Sequence, residues 1–436
     1  MKYVYVLLLI VCISSSCKKD NAPVEDNSPI EIITIDPQIK QVINDSTIVL
    51  TWPKYTGKKF GRYLIKRVAT YFKDGNVDDY TENIDSTTDV NDTTFTETKM
   101  PSGYGIIYRL YTETSDHNLL SNGFVSYDRP PYTLLKTKAA EGVIDKQQKI
   151  IFIPQIVLHQ ILVVDYTTGI QKSSIDVGPD PGYCDLAYFN GKTELYVPLY
   201  DGRISIYDAG SFTFKDYIKC GKGASSVVAV NGKLYVNTRD TTGGTKETIQ
   251  VYDRATKNLI GKTGYGDEYK LVLLKNSSSP ELIGVSNWNS NGLTNLSWFQ
   301  FSNTGVPIAK KQMTYSWDTL RYATTILRPF PNGNRFITSQ LSTIFNNSLA
   351  FEGFLTQKSD YTDFEFNDDG SLIYAADFNH RKIDVISYPG GNLIRSYTTK
   401  LFPYKIYRDN NTLVSVSHSW NNVDGTRYFI IEKIDL

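Results

Sequence analysis

The stretches ILVVDYTTG (residues 161–169), ISIYDAG (204–210) and IQVYDRATK (249–257) decide the fold. They begin about 43 and 45 residues apart, a period that marks repeated supersecondary units. IDVISYPGG from Ile383 falls three such steps beyond Ile249, and a weaker copy, LSWFQFSNTG from Leu296, falls one step beyond it. A second signature accompanies these copies: FNGKTELYV from Phe189, VNGKLYVN from Val230, PNGNRFIT from Pro331 and NDDGSLIYA from Asn367. Asn-Gly and Asp-Gly accept the positive φ of tight hairpins, and the alternating apolar residues that follow build strands. Two hairpins per unit make four strands, which is a propeller blade.

Steps of about 44 residues fit seven times into residues 130–436, so the chain is expected to end in a seven-bladed β-propeller. The last blade shows three strands, from Tyr404 through TLVSVSH (412–418) to YFIIEKIDL (428–436). Its fourth is expected from YTLLKTKA (132–139), which closes the ring and removes two free edges. KLYVNT from Lys233 and the VYD copies resemble the YVTN family of propellers, which implies the fold and leaves function open. No Gly-His or Trp-Asp pair recurs at the period, so the pattern departs from WD40 repeats.

Residues 30–129 read as a separate all-β unit. Ile48, Leu50 and Trp52 share one strand face, as do Tyr63 with Ile65 and Tyr108 with Leu110. Trp52 and the run Met100, Pro101, Ser102, Gly103 and Tyr108 resemble a fibronectin type III or immunoglobulin-like β-sandwich. That resemblance implies a core Trp52 and a corner Tyr108 whose hydroxyl bonds back to the backbone. Such a unit is expected to act as a spacer, the alternative being a glycan-binding module.

The N-terminus adds an address. An apolar run from Tyr3 to Ile13 is too short to span a bilayer, and Ser14, Ser15, Ser16 and Cys17 follow it. This resembles a bacterial lipoprotein signal (1–16) with lipid on Cys17, and Lys18, Lys19 and Asp20 resemble the start of Bacteroidetes-type surface lipoproteins. The implied location is an outer membrane, facing the exterior. Residues 17–29 are polar with two prolines and read as a flexible tether.

Composition bounds the partners. Lys plus Arg and Asp plus Glu number 46 each, a balance that offers no electrostatic footprint for nucleic acid. Cys184 and Cys220 match neither zinc spacing nor a disulfide framework and read as thiols. Four histidines, His117, His159, His380 and His418, show no metal-ligand spacing, and no nucleophile elbow or phosphate loop is present. No cofactor and no catalytic residue is assigned. A lyase or lactonase that gathers His159, His380 and His418 of blades 1, 6 and 7 on one face is the enzymatic alternative.

Loops between second and third strands, and those joining one blade to the next, open on one face. They carry Trp288, Trp317, Trp420, Tyr183, Tyr265 and Tyr404 beside Asp180, Asp318 and Arg381; Tyr200, Tyr269, Tyr361 and Phe378 fall there too. Planar aromatics beside fixed donors and acceptors suit a sugar ring, which stacks its CH face and hydrogen-bonds its hydroxyls. A glycan or other polar extracellular ligand is therefore expected on this loop face, the alternative being a scaffold for a partner protein.

Cys17→Ala should abolish partition of the chain into detergent phase. Full partition of that variant would make the leader an ordinary secretory signal.

Overall fold

The computed structural model describes residues 33–44, 47–73, 76–101, 104–127, 135–137, 141–239, 247–266, 268–286, 294–316, 326–339, 341–356, 361–418 and 427–436. Every regular element among them is a strand. Cys17 and the leader lie outside these residues.

The first seven strands form two sheets. β1 (Gln38–Asn44), β2 (Thr47–Thr51) and β5 (Thr94–Glu97) make one, and β3 (Phe60–Lys73), β4 (Asn76–Thr87), β6 (Tyr104–Thr114) and β7 (Leu119–Tyr127) the other, in the order β4-β3-β6-β7. Ile48 and Leu50 from one sheet and Tyr63, Ile65, Ile106, Tyr108 and Leu110 from the other share a single core with Trp52. Tyr108 is fully buried, and its hydroxyl lies 2.5 Å from Glu97 Oε2. This carboxylate is also the partner of buried Arg67.

Seven four-stranded antiparallel sheets follow, spanning residues 143–176, 185–219, 226–263, 268–315, 327–354, 364–398 and 402–435. They are called blades 1 to 7 below. The seventh takes its outermost strand, β8 (Leu135–Thr137), from the N-terminal side, with Phe429 opposite Leu135 and Arg427 opposite Thr137. Each blade packs on the next because its strands alternate at period two. In blade 1, Ile150, Phe152, Ile161 and Val163 face Leu195 and Val197 of blade 2. Ile151, Ile153, Leu162 and Val164 face Val414, Val416 and Phe429 of blade 7. Further clusters of this kind join blades 2 to 3, 3 to 4, 4 to 5, 5 to 6 and 6 to 7. Each sheet is thus covered on both faces by its neighbours, and the ring closes on itself.

The repeat signatures have identifiable physical roles. Asn190-Gly191 (φ 47° and 84°) and Asn231-Gly232 (φ 53° and 69°) turn the first hairpins of blades 2 and 3 with two successive positive φ angles. The lysine after each pairs with the aspartate of the YD copy across the sheet, Lys192 with Asp208 at 2.9 Å and Lys233 with Asp253 at 2.7 Å. The same aspartates cap the next turn: Asp208 accepts from Gly210 N and Ser211 N, and Asp253 from Thr256 N. Between third and fourth strands the register slips once in each of blades 1 to 6, a repeated bulge that sharpens the twist of the outer edge. One polar tie lies between blades 2 and 3, where fully buried Glu194 takes Nε and Nη2 of Arg254 at 2.7 and 2.9 Å and Lys215 at 2.7 Å.

A chain shortened to begin at Glu141 lacks β8 and exposes the edge of Arg427–Asp435. Its melting temperature should fall by on the order of 5–10 °C relative to a chain beginning at Pro130, for a loss of about 2–3 kcal/mol in a domain of this size. Equal melting temperatures would show that β8 does not close the ring.

Candidate functional site

The innermost strands surround an axial cavity of about 620 Å³, walled by residues of all seven blades. That volume falls within the range of about 300–1,000 Å³ usual for small-molecule pockets. The cavity has one closed and one open end. At the loop-face end the Glu141 carboxylate, just before blade 1, pairs with Lys270 of blade 4 and lies 3.1 Å from Nζ of Lys405 of blade 7. Both lysines are buried, at 5% and 1% exposure. Arg328 of blade 5 donates from Nε and Nη2 to the two oxygens of Asp363, each at 2.7 Å. Asp363 Oδ2 also accepts from Ile406 N of blade 7 at 2.9 Å, and Tyr407 donates its hydroxyl to Gly142 O at 2.7 Å. The exposed members of the wall, Lys146, Tyr188, Asn231 and Asn276, all sit at the first hairpins of blades 1 to 4. The mouth is therefore on the face opposite the loops.

Burial shapes the charges. It pushes Glu141 upward, but Lys270 and Lys405 outweigh it and hold this carboxyl well below the usual range. Burial lowers Lys405 to about 7 against the pull of Glu141 and Asp363, and it lowers Lys270 as well. On the wall, burial raises Glu365 to about 7, with Arg328 opposing, and Asp185 to about 6 although Ala229 N and Leu186 N donate to it. Lys405, Glu365 and Asp185 change charge near neutrality, where their surroundings decide the outcome.

The described members of the set expected on the loop face have separate surroundings. Tyr183 lines the closed end of the cavity, edge-on to Tyr269 at 5.7 Å, with Lys270 Nζ 4.8 Å from its ring. Tyr265 packs on Phe299 and under Lys310. Tyr404 packs between Phe378 and His418, 4.7 Å from the latter. Tyr361 and Phe378 are buried between blades, while Tyr200 is exposed. Asp180 and Arg381 are exposed, Arg381 lying over Phe402. Trp288, Trp317, Trp420 and Asp318 lie outside the described residues.

His159 and His380 are exposed at hairpin tips, His380 bound to Asp377 at 2.9 Å, while His418 is buried between blades. Among the described residues no group of three His, Cys, Asp or Glu side chains could hold a metal. Cys184 and Cys220 are unbridged thiols, both raised by burial, Cys220 to about 12.

Of the residues that line the cavity, sequence reasoning named Tyr183 and missed the charged ones. The available signal was a charge interrupting the apolar first strand of a repeat: Asp185, Lys270, Arg328, Glu365 and Lys405 each break such a run.

No family model matches the chain, and no curated protein matches it. Among solved structures, Kuenenia stuttgartiensis hydrazine synthase aligns with 69% of this chain and 96% of that chain, at 13% identity and a TM-score of 0.50. The likeness is one of fold. The WD40 repeats of RRP9 align with 69% of this chain and 98% of that chain, at 11% identity and a TM-score of 0.49. The chain is all-β, with four-stranded sheets ringed as in β-propellers.

The Glu365 shift has a sign that can be measured. Its folded value of about 7 exceeds the ordinary 4.5, so the stability it contributes is full below pH 4.5 and is lost as pH rises through 7. Glu365→Gln mimics the protonated form. It should raise the melting temperature at pH 8 and leave it unchanged at pH 4; an equal change at both would show that Glu365 keeps its ordinary value.

Proposed function

We propose that this protein is a lipid-anchored surface binding protein that takes a glycan or other polar extracellular ligand into the axial cavity of a YVTN-type propeller. One observation carries the reading: the cavity couples a wall of charged and amide groups to an exposed aromatic at its mouth. Tyr188 is 73% exposed there, a stacking surface beside Asn231 and Asn276, with Asp185 and Glu365 deeper in as fixed polar partners. This is the pairing that sugar recognition needs, on a different face from the one the sequence suggested. The two-sheet unit of residues 30–129 is read as a fibronectin type III-like spacer, and Cys17 as the lipid-bearing residue at the outer membrane. Binding rather than catalysis fits side chains that are committed to one another across the ring.

A scaffold role has its own support. Ile156, Val157 and Leu158 form an apolar tip on the second hairpin of blade 1, 37%, 65% and 55% exposed on the loop face. Consecutive exposed apolar residues of this kind mark protein contacts. A stoichiometric partner lost on Val157→Ser would favour that role.

Tyr188→Ala should weaken binding of any soluble glycan the protein recognises by several-fold, since a stacked aromatic contributes on the order of 1 kcal/mol. Its exposure predicts an unchanged melting temperature. Calorimetry against a glycan panel reads the first and thermal unfolding the second; undiminished affinity removes the mouth from the site.

A further inference from the structure

We propose that the closed end of the axial cavity is a carboxylate subsite, where Arg328 and Lys270 hold the acid group of a uronic-acid-type sugar. This rests on the saccharide reading above and narrows its ligand to an acidic class.

The geometry of Arg328 points to it. Asp363 occupies Nε and Nη2, and Nη2 also reaches Ile406 O at 3.3 Å. Nη1 makes no hydrogen bond to any described residue, and the side chain, 19% exposed, lines the cavity. A guanidinium whose Nε and Nη2 are spent on a protein carboxylate and a carbonyl, but whose Nη1 has no partner among the described residues where the side chain lines a polar cavity, keeps charged donors for a second carboxylate. Lys270 lies on the same wall.

Charge balance agrees. At the closed end Lys270, Lys405 and Arg328 face the carboxylates Glu141 and Asp363, so three cations share two anions. Lys405 Nζ is buried and, although 3.1 Å from Glu141, has no acceptor at hydrogen-bonding geometry. A third wall carboxyl, Glu365, has no cation within ion-pairing distance among the described residues. A buried surplus cation is costly, and an incoming anion relieves that cost. A neutral sugar does not.

The same groups set a pH dependence. As pH falls through 7, Lys405 gains its proton and Glu365 loses its charge, and Asp185 on the far wall follows near 6. Glu141 remains ionised between its two lysines, Tyr407 remains neutral, and Lys146 stands exposed at the mouth. Each change makes the closed end more positive, so an acidic sugar should bind more tightly as pH falls.

The test titrates the full chain, in detergent, with glucuronate, digalacturonate, glucose, maltose and acetate at pH 6 and pH 8 by calorimetry. Glucuronate and digalacturonate should bind at least about tenfold more tightly than glucose and maltose at pH 6, and lose about tenfold by pH 8, a change of about 1.4 kcal/mol. Arg328→Lys keeps a cation beside Asp363 but removes the Nη1 donors, and should cost the acidic sugars about tenfold. Glu365→Gln leaves that ion pair untouched and should raise the pH 8 affinity and so narrow the difference between pH 6 and pH 8, the remainder being due to Lys405 and Asp185, which a merely structural role for Glu365 does not do. Neutral sugars binding as well as acidic ones, or a pH profile unmoved by Glu365→Gln, overturns the carboxylate subsite and leaves the saccharide reading standing. Acetate bound without any sugar supports the subsite and overturns the saccharide reading. No binding by any of the five overturns both.

Discussion

The architecture depends on one carboxylate. Glu141 stands between the last strand of the ring and the first, and it reaches across the axis to Lys270 of blade 4 and Lys405 of blade 7. Most contacts between blades join neighbours, through the apolar clusters and polar ties between faces. Glu141, like Arg328 with Ile406 O, adds a contact between blades that are not adjacent, and both of its lysines are buried. Removing one partner from such a buried pair typically costs about 3–5 kcal/mol, because the remaining charge is left uncompensated. The axis is therefore held by charge and the perimeter by apolar packing.

The closing seam between blades 7 and 1 draws on both. Leu135–Thr137 pairs with Arg427–Phe429, while Tyr166 and Lys149 of blade 1 meet Asp409 of blade 7 at 2.7 and 2.6 Å and Tyr407 meets Gly142 O. Elsewhere blades are stitched by an inner-strand side chain that accepts a backbone N–H from the next blade: Asp185 from Ala229, Ser226 from Leu271, Asp363 from Ile406. Inner-strand edges have no further strand to pair with, so their N–H groups need such acceptors. Asp185 and Asp363 thus hold the ring together, and Asp185 also lines the cavity.

Much of the fold was legible because its determinants are local and repeated. Asn-Gly turns, alternating Val and Ile, and the Lys and Asp pair of NGK and YD lie within one unit, and each recurs at the period. Strand β8 was legible because a unit with three strands needs a fourth. The cavity was not legible in that way. Glu141, Lys270 and Lys405 lie far apart in sequence and meet only when the ring closes, so no spacing rule joins them. Tyr265, Tyr404 and Phe378 were placed correctly near strand ends, but whether an aromatic there faces solvent or the next blade depends on strand parity at its base. Tyr404 beside His418 and Phe378 is a packing residue for that reason.

The direction of the cavity follows from the same wiring. Inner strands run from the loop face toward the first hairpins, and the charged residues that interrupt them fall near their beginnings, as Lys270, Arg328 and Asp363 do. Those charges must be neutralised once the ring closes, and pairing them across the axis plugs that end. At the other end of the strands the short first hairpins leave the axis open beside Tyr188 and Asn231. Strand β8 runs antiparallel to Arg427–Asp435 and so toward the loop face. A ligand of the proposed kind would enter on the opposite side, beside Tyr188 and Asn231.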